Sequence, residues 1–274
     1  MSLDWRRLSA AEREQEYSPS SCIGGNYRPY IRTYAERSDA ARRAHPPETL
    51  RYGPGDRQTI DLFLPDGVAE PPLLVFFHGG YWQELSKQES AFAAPGCLAL
   101  GIAYAAVDYT LAPAAALSEI VAECRAAMAS LVRFRRRVVA GSSAGAHLAA
   151  MAASGANGAV LISGIYDLEP LIGTSIDTAL GLDASQARAN SPLYRPLRDF
   201  PPSLVGWGDN ETDQFKRQSR VFVQALRSAG GTADALECAG RNHFDVILDL
   251  ADPDTELGRR TLALLRAFGD NAVG

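Results

Sequence analysis

Short apolar runs alternate with helical patterns along most of this chain of 274 residues. Runs such as LLVFF and AVLIS are continuously apolar and end near small or turn-forming residues, as buried strands do. Stretches between such runs, for example ALSEIVAECRAAMASLVRF, carry apolar residues at helical spacing. Strands that alternate with helices predict a mostly parallel central sheet with helices on both faces, which is an α/β fold.

The patterned part of the chain begins near residue 50. Strands are predicted at QTIDLFLP, PLLVFFHGG, GIAYAAVDY, RRVVAGS, GAVLISG, SLVGWG and ADALEC, and further helices at AGAHLAAMAASG, QFKRQSRVFVQALRSAGG and DTELGRRTLALLRAFG. Residues 1–50 are polar, rich in Arg, Glu, Tyr and Ser, and lack a buried-strand pattern. We therefore expect residues 1–50 to form an N-terminal helical extension or cap, over the carboxyl edge of the sheet or on its side. Residues 51–274 are expected to form the α/β domain.

Charge and cysteine content exclude several classes of protein. The net charge is −5, and the basic run RFRRR at 133–137 is expected to be a solvated helix end, so no nucleic-acid partner is expected. No apolar run approaches the length of a membrane span, and the polar N-terminus differs from a signal peptide. We therefore expect no membrane partner. Four scattered cysteines without metal-ligand spacing favour a reducing cytoplasm over a disulfide framework: Cys22, Cys97, Cys124 and Cys238.

The segment GSSAG at Gly141–Gly145 lies between a predicted strand and a predicted helix. The pattern G-x-S-x-G in this setting is the signature of a nucleophile elbow, a strained turn that projects a serine hydroxyl above the sheet. Ser143 is then the candidate nucleophile, and the N–H of Ala144 opens a helix N-terminus that favours negative charge. The alternative is a small-residue turn without chemistry, and the strand–turn–helix setting favours catalysis over it.

A nucleophilic serine needs a general base, and the chain has four histidines. The chain order around such an elbow is serine, then acid, then histidine. His45 and His78 precede Ser143, and His147 lies on the helix that the serine begins. This order leaves His243, which follows the last predicted strand, as the candidate base.

Two further loops complete the candidate site. The loop in SLVGWGDNETDQF precedes the candidate base and offers an acid to orient its imidazole at Asp209, Glu211 or Asp213. The glycines of FFHGGYW, Gly79 and Gly80, follow a buried strand and resemble the oxyanion loop of lipases and esterases. Each backbone donor in such a loop stabilises the transition state by about 3–4 kcal/mol.

Several motifs together resemble one known family. HGG, GSSAG and DYTLAP at Asp108–Pro113 resemble the hormone-sensitive-lipase-like group of α/β-hydrolases. More narrowly, FFHGGYWQ, SKQESAF, SAGAHLAAM, SGIYDLEP, NSP, the F-K-R-Q-S segment and NHF resemble the arylformamidases, or kynurenine formamidases, in the family's order from about residue 50 to residue 250. The resemblance implies an α/β-hydrolase fold and hydrolysis of N-formyl-L-kynurenine to L-kynurenine and formate, a step in tryptophan breakdown. It implies neither a metal nor a cofactor.

The resemblance also selects among the candidate acids. In the family the acid lies three residues after a strand-ending glycine and four before the phenylalanine of an F-x-R-Q-S segment, and Glu211 satisfies both counts. The implied triad is Ser143, Glu211 and His243, with glutamate where animal members more often have aspartate. Ser142 departs from the family, in which a histidine commonly precedes the nucleophile, and this departure concerns substrate shape only.

The aromatic leaving group of such a substrate needs a flat apolar wall. Tyr81 and Trp82, which follow the oxyanion glycines, are the candidates, with core or cap packing as the alternative. A small molecule is the expected partner, and a homodimer is left open. Two other functions stay under consideration: a carboxylesterase with the same triad, and a hydrolase-fold binding module without turnover. The binding module ranks last because such relatives typically lose a member of the triad.

Overall fold

The computed structural model describes residues 4–267, which form a central sheet of eight strands covered by helices. The strands are β1 (Glu48–Arg51), β2 (Thr59–Phe63), β3 (Leu73–Phe77), β4 (Ala103–Val107), β5 (Arg137–Ser142), β6 (Gly158–Ile162), β7 (Ser203–Asn210) and β8 (Ala233–Asn242). Their order across the sheet is β1-β2-β4-β3-β5-β6-β7-β8. The pairs β1–β2 and β2–β4 are antiparallel, and all other neighbours are parallel.

The helices lie on both faces of this sheet and beyond its edge. They are α1 (Ala10–Glu16), α2 (Arg28–Ala44), α3 (Ala94–Leu98), α4 (Leu117–Ser130), α5 (Ala144–Met151), α6 (Asp177–Leu180), α7 (Ala184–Ala189), α8 (Asp213–Ser228) and α9 (Glu256–Ala267). Short 3₁₀ turns occupy Trp5–Arg7, Pro19–Ile23, Lys87–Glu89, Glu169–Leu171, Pro192–Tyr194 and Val246–Asp249.

The central strands are buried on both faces, which explains their continuous apolar sequences. In β3, Leu73, Val75 and Phe77 join the core layer shared with α4, α5 and α8. Leu74 and Phe76 point to the opposite face and join the layer shared with α3 and α9. Because side chains alternate between the two faces of a strand, a strand covered on both sides has to be apolar throughout.

The predicted α/β class is confirmed, and each strand and helix predicted after residue 50 has an observed counterpart. The sequence pattern misses β1, an edge strand whose side chains are largely exposed and which therefore has no apolar run. This strand also crosses the expected boundary at residue 50. The helices α3, α6 and α7 are missed as well, because four to six residues are too few to show a helical period.

Both helices of the N-terminal segment are fixed to the rest of the protein. Helix α1 packs beside α8. Arg42 on α2 places Nε 3.2 Å from Asp61 Oδ2 of β2, and Lys87 Nζ lies 2.7 Å from the other oxygen of that carboxylate. The Asp61 side chain is 5% exposed, so solvent and salt screen these ion pairs much less than surface pairs. The segment therefore docks as an ordered part of the structure.

The sequence predicts neither a membrane span nor a disulfide framework, and residues 4–267 bear on both points. Within that range, no helix is both long and apolar enough to cross a membrane. All four cysteines are free thiols, and Cys97, Cys124 and Cys238 are buried.

Candidate active site

A cavity of about 310 Å³ opens where the parallel strands end. Its lining includes Gly79 and Gly80 after β3, Ser143 after β5, and His243 after β8. The carboxyl edge of the strands is where ligands bind in open α/β sheets. The topology thus brings these four predicted site residues to one cavity.

Ser143 occupies a strained turn between β5 and α5. Its φ of 56° and ψ of −122° lie in a region that costs a non-glycine residue about 1–3 kcal/mol. The Ser143 N–H donates to the carbonyl of Ile162 on β6 at 2.8 Å, which fixes the turn against the neighbouring strand. A Cβ on Gly145 would lie 2.0 Å from the carbonyl oxygen of Phe77, so only glycine allows α5 to start this close to the sheet. The elbow geometry predicted from GSSAG is present.

His243 and Glu211 form a buried hydrogen-bonded pair beside this turn. His243 Nδ1 lies 3.1 Å from Glu211 Oε2, and the carboxylate is completely shielded from solvent. Since a carboxylate can only accept, Nδ1 carries the proton and Nε2 is left as the basic nitrogen. The second oxygen, Oε1, accepts from Ser163 Oγ and from the N–H of Gly208, both at 2.6 Å. Three donors therefore hold the carboxylate in one orientation.

The other two candidate acids lie elsewhere. Asp209 is exposed and accepts from the N–H of Gly240 at 2.9 Å. Asp213 is exposed in the first turn of α8. Of the three acids in this loop, Glu211 is the one that contacts the imidazole. Ser163 was not singled out from the sequence, because a serine at a strand end carries no signal of a partner 48 residues away.

The backbone around the elbow provides donors for an oxyanion. Ala144 begins α5, and the N–H groups of a first helical turn have no partner within the helix. A Cβ on Gly79 would lie 2.9 Å from the carbonyl oxygen of Ser142 and 3.4 Å from Ser143 Cβ. The glycine loop thus passes directly over the elbow, with no room for a side chain.

The other three histidines, which chain order rules out as the base, are not among the described residues that line the cavity. His45 is exposed at the end of α2. His78 is buried against Tyr109, with ring centroids 4.1 Å apart, and its Nε2 lies 3.5 Å from Asp108 Oδ1. His147 is fully buried, and burial lowers its pKa to about 4.

Tyr81 and Trp82 have different surroundings in the structure, although their rings are in edge contact with centroids 6.1 Å apart. Tyr81 lines the cavity and its hydroxyl donates to the carbonyl of Tyr17 in the N-terminal segment. Trp82 is fully buried in the core, where its indole Nε1 donates to His147 Nδ1 at 3.2 Å. The expectation that Trp82 forms a substrate wall is therefore corrected to the alternative of core packing.

An aromatic wall does exist, but most of it comes from residues that the sequence did not single out. Phe244 directly follows the candidate base and stacks on Tyr27, with ring centroids 5.5 Å apart and planes at 11°. Other aromatic members of the lining are Tyr17, Tyr34, Phe76 and Phe92. The sequence features that could have indicated this wall were the tyrosines of the polar N-terminal segment and the phenylalanine of NHF. Neither shows from sequence alone that the two segments meet.

No group of three or more His, Cys, Asp or Glu side chains in residues 4–267 is arranged to hold a metal ion. The polar groups at the cavity suit a reaction that a hydroxyl, an imidazole and backbone amides can carry out.

Comparison with known proteins agrees with the fold. A family model for the alpha/beta hydrolase fold matches residues 74–246. A kynurenine formamidase of Danio rerio is 32% identical, over 96% of this chain and 98% of its own length. The chain belongs to the kynurenine formamidase-like α/β-hydrolases.

Two further relatives support the same placement. A kynurenine formamidase of Salmo salar is 31% identical to this α/β-hydrolase, over 97% of the chain and 98% of its own length. The crystal structure of a protein from Silicibacter sp. TM1040 with a thioesterase assignment superposes with a TM-score of 0.78 and 32% identity. The superposition covers 89% of this chain and 96% of the Silicibacter protein. The α/β-hydrolase is accordingly an enzyme of the hydrolase class.

Proposed function

We propose that this α/β-hydrolase is an arylformamidase that hydrolyses N-formyl-L-kynurenine to L-kynurenine and formate with a triad of Ser143, His243 and Glu211. One observation carries the proposal: the elbow serine and the imidazole paired with Glu211 line the same aromatic cavity. The similarity to two kynurenine formamidases over nearly the whole chain supports the choice of substrate.

In the first half of the proposed reaction, Ser143 Oγ attacks the formyl carbon while His243 Nε2 takes its proton. The N–H groups of Ala144 and of the Gly79–Gly80 loop stabilise the oxyanion. When the carbon–nitrogen bond breaks, His243 returns the proton to the arylamine, and the formyl group stays on the serine as an ester. Glu211 keeps the imidazole in the required tautomer and stabilises its charged form.

In the second half, water replaces the arylamine. His243 takes a proton from the water, whose oxygen attacks the formyl ester through the same oxyanion site. The bond to Ser143 Oγ breaks, the serine regains its proton and formate leaves. The acyl side needs room only for a hydrogen atom, whereas the leaving side has to hold a benzene ring. The stacked rings of Tyr27 and Phe244 offer that ring an aromatic surface.

The proposal assigns roles to other parts of the chain. Residues 1–50 act as a cap, because Tyr17, Tyr27 and Tyr34 contribute to the cavity wall. The four free thiols accord with the proposed cytoplasmic location. A carboxylesterase remains the second candidate, because an esterase of Mycobacterium tuberculosis is 26% identical over 77% of this chain.

Relative efficiency on formamides and esters tests the proposed substrate. We expect kcat/KM for N-formyl-L-kynurenine to exceed that for p-nitrophenyl acetate by at least about tenfold, because a formyl-sized acyl site holds a hydrogen atom more readily than a methyl group. We expect p-nitrophenyl decanoate to be poorer still, since a formyl-sized acyl site excludes a long chain. Steady-state kinetics with the three substrates measures this order. A decanoate ester hydrolysed better than N-formyl-L-kynurenine would favour the carboxylesterase and contradict the arylformamidase.

The charge of the cavity predicts a second form of selectivity. Its acidic lining residues are Glu14, Glu84 and Glu89, and none of the described lining residues is a lysine or arginine. We therefore expect kcat/KM for the anion N-formylanthranilate to be about tenfold lower than for neutral formanilide, through unfavourable Coulomb energy. N-formyl-L-kynurenine escapes this penalty because its ammonium group compensates its carboxylate.

The charge prediction has an internal control. Glu84 is exposed and accepts a hydrogen bond from the Tyr27 hydroxyl at 3.3 Å, so Glu84→Gln removes charge at little cost to folding. This variant and high salt should both narrow the difference between the two formamides. Equal hydrolysis of the two formamides by the unmodified enzyme at low salt would show that the acidic residues do not act on the substrate.

A further inference from the structure

Trp82 links the oxyanion loop to the helix that begins at the elbow serine. The indole is fully buried, and its Nε1 donates to His147 Nδ1 at 3.2 Å. The two rings also make an edge-to-face contact, with centroids 5.0 Å apart and planes at 87°. His147 lies one turn after the elbow, and its backbone N–H donates to the carbonyl of Ser143 at 3.2 Å. A single side-chain bond therefore joins the glycine loop to the first turn of α5.

The chemistry of the partners fixes the protonation state of His147. An indole N–H can only donate and a backbone carbonyl can only accept. His147 Nε2 lies 2.7 Å from the carbonyl oxygen of Asn190, so Nε2 carries the proton and Nδ1 offers its lone pair to Trp82. Burial lowers the pKa of His147 to about 4, which keeps the ring neutral at ordinary working pH. Both nitrogens are thus occupied.

The loop that Trp82 anchors has a backbone that needs such support. Gly80, Tyr81 and Trp82 have successive φ values of 92°, 49° and 61°, in the left-handed region that side chains disfavour. The carbonyl of Trp82 accepts from the N–H of Ala112 at 2.8 Å, which fixes the loop on its other side. A strained run persists only where surrounding contacts determine it.

We propose that Trp82 and His147 are positioning residues that hold the Gly79–Gly80 amides over the Ser143 turn through the indole–imidazole bond. The inference rests on the proposed serine mechanism and adds to it: these two residues do not touch substrate, yet they set the distance between the two sources of oxyanion donors. Losing the bond lets the loop relax away from the elbow. The loss should appear in kcat, because the oxyanion forms only during the reaction.

The first test is Trp82→Phe, with Trp207→Phe as the matched control. Trp207 is a similarly buried indole on β7, and its Nε1 has no hydrogen-bond partner among residues 4–267. Displacing catalytic groups by about 1 Å costs on the order of 100-fold, so we expect Trp82→Phe to lower kcat by about 10- to 100-fold with little change in KM. We expect Trp207→Phe to lower thermal stability by a similar amount and to keep kcat within about twofold. Equal kcat values for the two variants would overturn the inference.

Two variants of His147 test the role of the indole–imidazole bond even if Trp82→Phe does not fold. The Asn side-chain oxygen can occupy the place of imidazole Nδ1, and the Gln side-chain nitrogen can occupy the place of Nε2. His147→Asn therefore keeps the acceptor for Trp82, whereas His147→Gln keeps only the donor to Asn190. We expect near-normal kcat for His147→Asn and a loss like that of Trp82→Phe for His147→Gln. The reverse order, or equal losses, would contradict the inference.

Measuring these variants together with Ser143→Ala distinguishes a failure of the positioning role from a failure of the serine mechanism. If Ser143→Ala loses turnover while Trp82→Phe and His147→Gln do not, the positioning role is wrong and the serine mechanism stands. If Ser143→Ala retains turnover, the proposed function itself fails. p-Nitrophenyl acetate and N-formyl-L-kynurenine should respond alike, because the oxyanion loop acts on the carbonyl that they share.

Discussion

Replacing Ser143 with alanine is expected to reduce kcat by about a million-fold while leaving the protein folded. The side chain supplies the protein atom that bonds to the formyl carbon in the proposed mechanism, and no other group of the site replaces it. Residual turnover would come from the oxyanion donors and from binding alone. The variant should keep the fold, because the turn is fixed through the backbone N–H of Ser143 rather than through its hydroxyl. Single-turnover kinetics and thermal unfolding measure the two effects.

The neighbouring serine offers a matched control. Ser142 ends β5 and is 8% exposed, so Ser142→Ala removes the same hydroxyl from an adjacent and similarly buried position. We expect this variant to keep most of the turnover. A Ser143→Ala protein with near-normal kcat, or a Ser142→Ala protein with the larger loss, would show that the elbow serine is not the nucleophile.

Glu211→Gln is expected to lower kcat by about ten-thousand-fold, because it reverses the tautomer of His243. The carboxylate accepts from His243 with one oxygen and from Ser163 and Gly208 with the other. Glutamine has a single oxygen, and the two donors at Oε1 retain it. Its amide nitrogen then donates to Nδ1, the imidazole proton moves to Nε2, and the base can no longer accept the proton of Ser143.

The two neighbouring acids serve as controls for this substitution. Asp209 and Asp213 are exposed, so Asp209→Asn and Asp213→Asn should change kcat by less than about threefold. Steady-state kinetics across the three variants, with circular dichroism to confirm folding, gives the comparison. A severe loss of kcat in Asp209→Asn together with a mild loss in Glu211→Gln would show that Glu211 is not the acid of the triad. The assignment to the hydrolase class would be unaffected.

The nucleophile elbow and the candidate base His243 could be predicted from the sequence, because local chemistry constrains the elbow and chain order constrains the histidine. GSSAG can adopt its turn only with small residues beside the serine, and the chain order left His243 as the candidate base. The choice of Glu211 needed the family resemblance, since the loop alone offers three acids at neighbouring positions. The carboxylate's contact with Ser163 could not be read from either segment.

The substrate side of the site was less predictable, because it depends on backbone direction and on distant contacts. Sequence places Trp82 beside the oxyanion glycines, but its ring is fully buried in the core. The aromatic wall depends on Tyr27 meeting Phe244, which lies more than 200 residues further along the chain. Periodicity reports burial within an element and carries no information about which loops meet.

The docking of the N-terminal segment has a consequence for biosynthesis. Tyr17 accepts a hydrogen bond from Gln218, 201 residues away, and the Tyr34 hydroxyl donates to the carbonyl of Phe244, 210 residues away. During translation the first contact cannot form until α8 has left the ribosome, and the second cannot form until the chain beyond β8 has left it. The N-terminal segment therefore lacks its contact partners while the first strands of the sheet are synthesised. Its polar, charged composition keeps it solvated during that time. A nascent chain has no closed cavity and no competent enzyme until this early-synthesised stretch has folded back onto the late one.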